Sequence, residues 1–194
     1  VDAAIAALNR GEVLSSTSID LEPIRELGLL TAKPMLYVFN VDEAILADPA
    51  RRAALAALVA PAEAVFLDAK IESELIDMSD AEASELLASM GQSESGLDQL
   101  ARIGFAALGL QTYLTAGPKE ARAWTIVKGT RAPQAAGVIH TDFEKGFIRS
   151  ETIGFGDYVT HKGEAGAREA GKFRLEGKDY IVLDGDVLHF RFNT

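Results

Sequence analysis

The residue types best suited to chemistry in this chain fall into three short patterns. Gly166-Ala-Arg-Glu-Ala-Gly171-Lys172 fits most of the phosphate-binding loop Gly-x-x-x-x-Gly-Lys-Ser/Thr, in which backbone N–H groups cradle phosphates and the hydroxyl holds magnesium. Phe173 stands at the hydroxyl position, and the residues ahead of Gly166 read as helix rather than buried strand, so no phosphate is expected there. Gly154-Phe-Gly156 follows a strand pattern, but Val159 occupies the third glycine position of the dinucleotide fingerprint. His140-Thr-Asp142 with His189 has the ligand types and order of a two-histidine, one-carboxylate iron site, whose open coordination face serves oxygen and substrate. That oxygenase reading meets about five strand patterns after residue 110, where the double-stranded β-helix of such enzymes wants about eight. An isolated histidine in a strand is also commonly structural.

A fourth pattern is defined by position. Met35-Leu-Tyr-Val-Phe39 and Ala64-Val-Phe-Leu67 are short, unbroken apolar runs, the mark of strands covered on both faces. Between them Asp48-Pro49 reads as an N-cap with proline at the first helical position, for a helix running to about Ala60-Pro61. Strand, helix and strand in this order make a parallel unit, and such sheets bind ligands at the strand C-termini, where Asn40 and Asp68 stand. Ser79-Asp-Ala-Glu82 is a capping box opening a helix that Gly91 closes, and Ser95 to Gly109 carries a second helical pattern. A two-stranded parallel sheet leaves unpaired edges, so further strands are expected upstream.

Residues 2–10 read as the tail of a longer helix stopping at Gly11, and Leu21, Ile24, Leu27 and Leu30 share one face of a short helix that ends near Lys33-Pro34. After residue 110 the period changes to two. Strands are expected over 111–116, 121–127, 147–153, 180–183 and 187–192, the last two joined by Asp184-Gly185-Asp186, with short helices around 134–139 and 164–170. The last strand places Leu188, Phe190 and Phe192 on one face and Val187, His189 and Arg191 on the other.

Composition bounds the function. The 194 residues, 48% hydrophobic, suffice for one domain or two small ones with a real core. The absence of cysteine excludes thiolate metal sites and cysteine nucleophiles and suits a reducing compartment, so a cytoplasmic location is expected. No apolar run reaches the roughly 18 residues of a membrane span, and no membrane partner is expected. The net charge of −10 is uneven: residues 1–109 hold 7 Lys+Arg against 18 Asp+Glu, and residues 110–194 hold 12 against 11. Any contact with RNA is therefore expected in the second part, and no sequence-specific DNA binding is expected in either.

The run Leu29-Leu-Thr-Ala-Lys-Pro-Met-Leu-Tyr-Val-Phe-Asn-Val-Asp-Glu43, with Arg122-Ala-Trp-Thr-Ile126, Ala132-Pro-Gln-Ala-Ala-Gly-Val-Ile-His-Thr-Asp-Phe143 and Gly185-Asp-Val-Leu-His-Phe-Arg-Phe192, resembles the YchF group of Obg-like ATPases. The resemblance covers nearly the whole chain. It implies an α/β part of a P-loop NTPase domain followed by an α+β domain of the β-grasp (TGS) type. Residues 1–34 would be the end of a helical insertion and a connector, 35–109 the C-terminal part of the nucleotide-binding domain, and 110–194 the TGS domain. The chain, which begins at Val1, is accordingly expected to be the C-terminal part of a longer ATPase that also takes GTP, uses magnesium, and meets the ribosome or RNA through its TGS domain.

Guanine-specific relatives carry Asn-Lys-x-Asp, and Asn40-Val41-Asp42-Glu43 stands at that place here. By the resemblance Asn40, Val41 and Glu43 would contact the base, and the longer Glu43 would relax guanine preference in favour of ATP. Ala69 and Lys70 would match the second base-contacting loop, usually Ser-Ala-Lys, with Asp68 replacing the serine. Without the resemblance, Asn40 and Glu43 read as a strand-end cap and a solvated helix start. Lys145, Arg149, Lys172 and Arg174 are candidates for the RNA- or ribosome-facing surface, and a solvated surface explains them as well. Trp124, Phe143, Phe190 and Phe192 read as core rather than as a base-stacking platform. No metal site and no catalytic residue is assigned within the chain. Without a phosphate loop, it alone is expected neither to hold nucleotide tightly nor to turn it over.

Overall fold

Capping residues and apolar spacing set the element boundaries in the first part of the chain, as a computed structural model describing residues 1–117 and 120–193 shows. The chain divides into two units, Val1–Leu108 and Gly109–Thr194. In the first, helix α1 (Asp2–Asn9) buries Ala4 and Ala7 beside Leu14 and Ile24 and stops before Gly11. The helix expected over 21–30 is instead two 3₁₀ turns, Glu22–Leu27 and Leu30–Ala32. Gly28, at φ 59, breaks the run between them, so Leu21 and Ile24 pack on the α1 cluster while Leu27 and Leu30 remain exposed.

Strands β1 (Leu36–Asn40) and β2 (Glu63–Leu67) pair in parallel, Leu36 opposite Glu63 and Asn40 opposite Leu67. Between them lie α2 (Glu43–Leu46) and α3 (Pro49–Ala57), the latter capped as expected by Asp48, whose carboxylate accepts from the N–H of Ala50 at 3.0 Å and of Arg51 at 3.1 Å. After β2 come α4 (Ala69–Leu75), α5 (Asp80–Ser89) with the Ser79–Glu82 capping box made in both directions, and α6 (Gly96–Ala107). Val65 and Leu67 are buried, but β1 is not covered on both faces: Val38 is 46% exposed. Gly96 sits directly on Leu67, where a Cβ would collide with that side chain, and Glu72 of α4 accepts from the Gly96 N–H at 2.7 Å.

The second unit runs β3 (Leu110–Ala116), β4 (Ala121–Val127), α7 (Ala132–Ile139), α8 (Thr141–Lys145), β5 (Phe147–Gly154), α9 (Phe155–Thr160), α10 (Glu164–Glu169), β6 (Arg174–Glu176) and β7 (Asp186–Phe192). Its mixed sheet has the order β4-β3-β7-β5-β6, parallel only between β3 and β7. The alternation expected of the last strand is present, and Leu188 and Phe190 join Tyr113 and Phe147 against Ala132, Ala135 and Ala136 of α7. The alanines let the helix approach closely. Tyr113 donates to the Ala135 carbonyl at 2.9 Å, and burial pushes its phenol well above the ordinary value.

One expectation fails here. Residues 180–183 form no strand paired with 187–192: Ile181 makes one bridge to Arg131, and the Val182 N–H donates to Thr130 at 3.0 Å. Buried Asp186 explains the difference, because it accepts from the Tyr180 hydroxyl at 2.6 Å and the Leu183 N–H at 2.9 Å and turns the segment back on itself. A short strand the sequence does not mark, β6, pairs with β5 on the side away from β7, with Thr152 opposite Arg174. Among the described residues no helix is long and apolar enough to cross a membrane.

Candidate functional site

The parallel register brings the C-terminal ends of β1 and β2 side by side, and with them the residues the sequence singles out. Asn40 ends β1, and its Oδ1 accepts from the Ala69 N–H at 3.1 Å. A backbone N–H can only donate, so this bond fixes the orientation of the amide and turns its NH₂ to other partners. The Val41 N–H continues the sheet ladder to the Leu67 carbonyl at 2.9 Å. Asp42 is used locally, accepting from the Ile45 N–H at 2.9 Å as the cap of α2, and this leaves Glu43 exposed at the first helical position. Asp68 has the corresponding role on β2: its carboxylate accepts from the N–H of Lys70 at 2.9 Å and of Ile71 at 3.4 Å and caps α4. Serine and aspartate serve equally well in that position. The departure from Ser-Ala-Lys therefore keeps the loop's backbone form. Lys70 is exposed and its Nζ lies 3.9 Å from Glu74, one turn along α4.

The corner thus holds a side-chain NH₂ and an adjacent carboxylate along one sheet edge, while the N–H groups of Val41, Ala69 and Lys70 donate within the chain. The first two are hydrogen-bonding groups suited to the edge of a planar heterocycle. It holds no general base paired with a nucleophile, and among the described residues no group of three or more His, Cys, Asp or Glu is arranged to hold a metal ion.

The other patterns have structural explanations. In Gly166-x-x-x-x-Gly171, helix α9 precedes α10 where a phosphate loop needs a strand; a Cβ at Gly166 would collide with the His161 carbonyl oxygen, and Gly171 adopts φ 73 at the end of α10. Gly154 joins β5 to α9, but both neighbours of β5 are antiparallel, so no dinucleotide fold follows. The iron triad is not assembled. The His140 Nδ1 accepts from the Asp142 N–H at 3.2 Å as the cap of α8, while His189 lies on β7 with Nδ1 3.9 Å from Glu151.

Lys145, Arg149, Lys172 and Arg174 do not form one face. Arg174 lies opposite Thr152, on the side of buried Ser150 and Thr152, and reaches Asp186 at 3.3 Å; Lys172 is 3.4 Å from Asp157. Arg149 is on the other side of the sheet, opposite Arg191. There the sequence reading missed Glu151, which is 7% exposed and accepts from Arg191 Nε at 3.1 Å and Nη2 at 3.0 Å. The guanidinium holds this carboxyl below its ordinary value of 4.5, against the opposing effect of burial. The available signal was the charge alternation Arg149, Glu151 facing His189, Arg191.

Comparison with known proteins gives this geometry its context. The family model YchF-GTPase_C, described as a protein of unknown function (DUF933), matches residues 110–193. The chain is 51% identical over 176 residues to the "Ribosome-binding ATPase YchF" of Bacillus subtilis, covering 88% of this chain and 48% of that protein. The protein of the same name in Haemophilus influenzae is 47% identical over 195 residues, covering 98% and 54%. The solved Schizosaccharomyces pombe YchF GTPase superposes with a TM-score of 0.83 at 32% identity, over 98% of this chain and 53% of that one. Over nearly its whole length the chain is similar to YchF proteins. It spans about half the length of the YchF relatives it matches, and the Asn40–Ala69 corner lies outside the matched segment 110–193.

Proposed function

We propose that residues 35–109 supply the base-recognition corner of a YchF-type ATPase that also accepts GTP, and that residues 110–194 form its TGS domain of β-grasp type and contact the ribosome. The observation that carries the first part is the Asn40 Oδ1 bond to the Ala69 N–H at 3.1 Å, which joins the two segments matching the family's base-contacting motifs into one edge. With Oδ1 engaged, the Asn40 NH₂ is the group that meets the ring, and N7 of adenine and guanine alike accepts from it. Asn40 then anchors a purine without choosing between the two. The choice falls to Glu43, because adenine offers a single exocyclic amine where guanine offers two adjacent donors, and a mismatched partner in a buried contact is heavily penalised. Val41 and Lys70 border the ring. The unpaired edges of the two-stranded sheet fit a sheet that continues in the intact protein, whose remaining length would carry the phosphate loop and the magnesium ligand. The ribosomal role rests on the names of the relatives and on the shift of charge toward basic residues after residue 110.

Equilibrium binding of ATP and GTP to the chain and two variants tests the base corner. Asn40→Ala weakens both nucleotides by about two- to tenfold, the worth of one hydrogen bond, and Glu43→Asp moves relative affinity toward GTP. An Asn40→Ala variant that binds both nucleotides as the parent does would overturn the reading.

A further inference from the structure

The sheet of the second unit packs one face on α7 and leaves part of the other in solvent. Along β5 and β7 the register gives that second face to Arg149, Glu151 and Ile153, and to Val187, His189 and Arg191. A β-bulge decides this. Phe147 is buried opposite Phe192, and counting by two from it would carry Arg149 and Glu151 to the α7 side. Ile148 is the extra residue between Phe147 and Arg149, 49% exposed, and it turns Arg149 over to stand directly across from Arg191. Directly opposed residues of an antiparallel pair have Cα atoms about 5 Å apart, and like charges so placed destabilise the sheet.

The buried carboxylate of Glu151 compensates one of the two charges. It accepts from Arg191 Nε at 3.1 Å and Nη2 at 3.0 Å, which fixes that guanidinium and leaves its other N–H donors free of this bond. The field of Arg168 on α10, itself tied to Glu164 at 3.0 Å, also reaches Glu151. Arg149 is exposed, as are Arg191 and His189, and is in no ion pair among the described residues. An exposed pair of guanidinia, one held in place from beneath, is relieved by an anion, and the planar fork matches phosphate. On these two strands the face carries no aromatic ring besides His189, so it is built to grip backbone rather than to stack bases. We propose that Arg149 and Arg191 take phosphates of an RNA backbone without reading its sequence. Glu151 is a positioning residue for Arg191. The proposal deepens the reading that the second unit contacts the ribosome, and rests on it, since the anion a ribosome presents in bulk is RNA phosphate. Residues 1–109, with 7 Lys+Arg against 18 Asp+Glu, repel that backbone.

Fluorescence anisotropy of a labelled uridylate RNA of about twelve nucleotides, titrated with the whole chain at several salt concentrations, tests the face. Arg149→Gln and Arg191→Gln each weaken binding about three- to tenfold and lower the slope of log K against log salt by about 0.7, the share of one single-strand phosphate. Arg122→Gln removes an equal charge from the α7 side of the sheet, where Arg122 alternates with Trp124, and leaves the slope as in the parent. Glu151→Gln removes a negative charge, which by electrostatics alone would tighten binding, yet it weakens binding about threefold because Arg191 is no longer held. Arg149 is exposed, so its variant keeps the test valid if Arg191→Gln, which strands the buried Glu151, misfolds. A parental slope in Arg149→Gln, or an equal loss in Arg122→Gln, overturns the proposal and leaves RNA contact by another face. Tighter binding by Glu151→Gln overturns its positioning role. Chain that co-sediments with ribosomes but binds neither this RNA nor protein-free ribosomal RNA overturns the proposal and keeps the ribosomal reading, whereas chain that does none of these overturns both.

Discussion

Asp68 offers the sharpest test of how the corner is built. Its carboxylate holds two N–H groups at the start of α4, Lys70 at 2.9 Å and Ile71 at 3.4 Å, and the intervening Ala69 N–H is held by Asn40. Removing an N-cap side chain of this kind costs about 1 kcal/mol, whereas serine caps as well as aspartate within a few tenths. Asp68→Ala is therefore expected to speed amide exchange at Lys70 and Ile71 about fivefold and to lower the urea midpoint of the first unit by about 0.5 M, given a slope of about 2 kcal/mol per M. Asp68→Ser is expected to track the parent in both. Amide exchange read by NMR on the labelled chain resolves the two sites directly. An Asp68→Ala variant with parental exchange at both amides, or an Asp68→Ser variant as fast as Asp68→Ala, refutes the claim that the residue replaces the family's serine as a cap.

Three further outcomes follow from the same structure. Gly96→Ala drives a Cβ into Leu67 and is expected to destabilise the first unit by about 1–3 kcal/mol, seen as a lower urea midpoint by circular dichroism; an unchanged midpoint contradicts the contact. Because the folded-state value of Glu151 is held below 4.5, its contribution is present above that pH and lost as pH falls through the folded value. Acid unfolding followed by Trp124 fluorescence should therefore be steeper in the parent than in Glu151→Gln, and parallel curves would refute the assignment. Purified chain is expected to release no phosphate from ATP above a buffer blank, since Phe173 removes the hydroxyl from its single near-match to a phosphate loop.

What the sequence discloses here is what local chemistry decides. Asp48-Pro49 and Ser79 with Glu82 mark helix starts because a cap is made within four residues, and both are made as read. The two apolar runs at 35–39 and 64–67 pair as a parallel sheet, and strict alternation puts Leu188 and Phe190 in the core. Failures occur where distant partners decide. β6 is three residues, Arg-Leu-Glu, with no apolar alternation to reveal it, and it exists because β5 has an open edge. Residues 180–183 look like a strand until Asp186 ties Tyr180 and Leu183 into a turn. Glu151 carries no mark of its own in the sequence, because the arginine that pairs its buried carboxylate is forty positions away. The candidate base corner has the same mixture. Asn40 and Asp68 are visible as strand-end residues, whereas the Asn40–Ala69 bond depends on pairing register across 29 positions.

The central claim is that Asn40 and Ala69 form a purine-binding edge. Titration of ¹⁵N-labelled chain with adenosine triphosphate at millimolar concentration, followed by NMR, tests it most directly. Shifts concentrated at the Asn40 side-chain NH₂ and the Ala69 and Lys70 backbone amides, and lost in Asn40→Ala, are the predicted result. Shifts absent from those groups while other amides respond would contradict it.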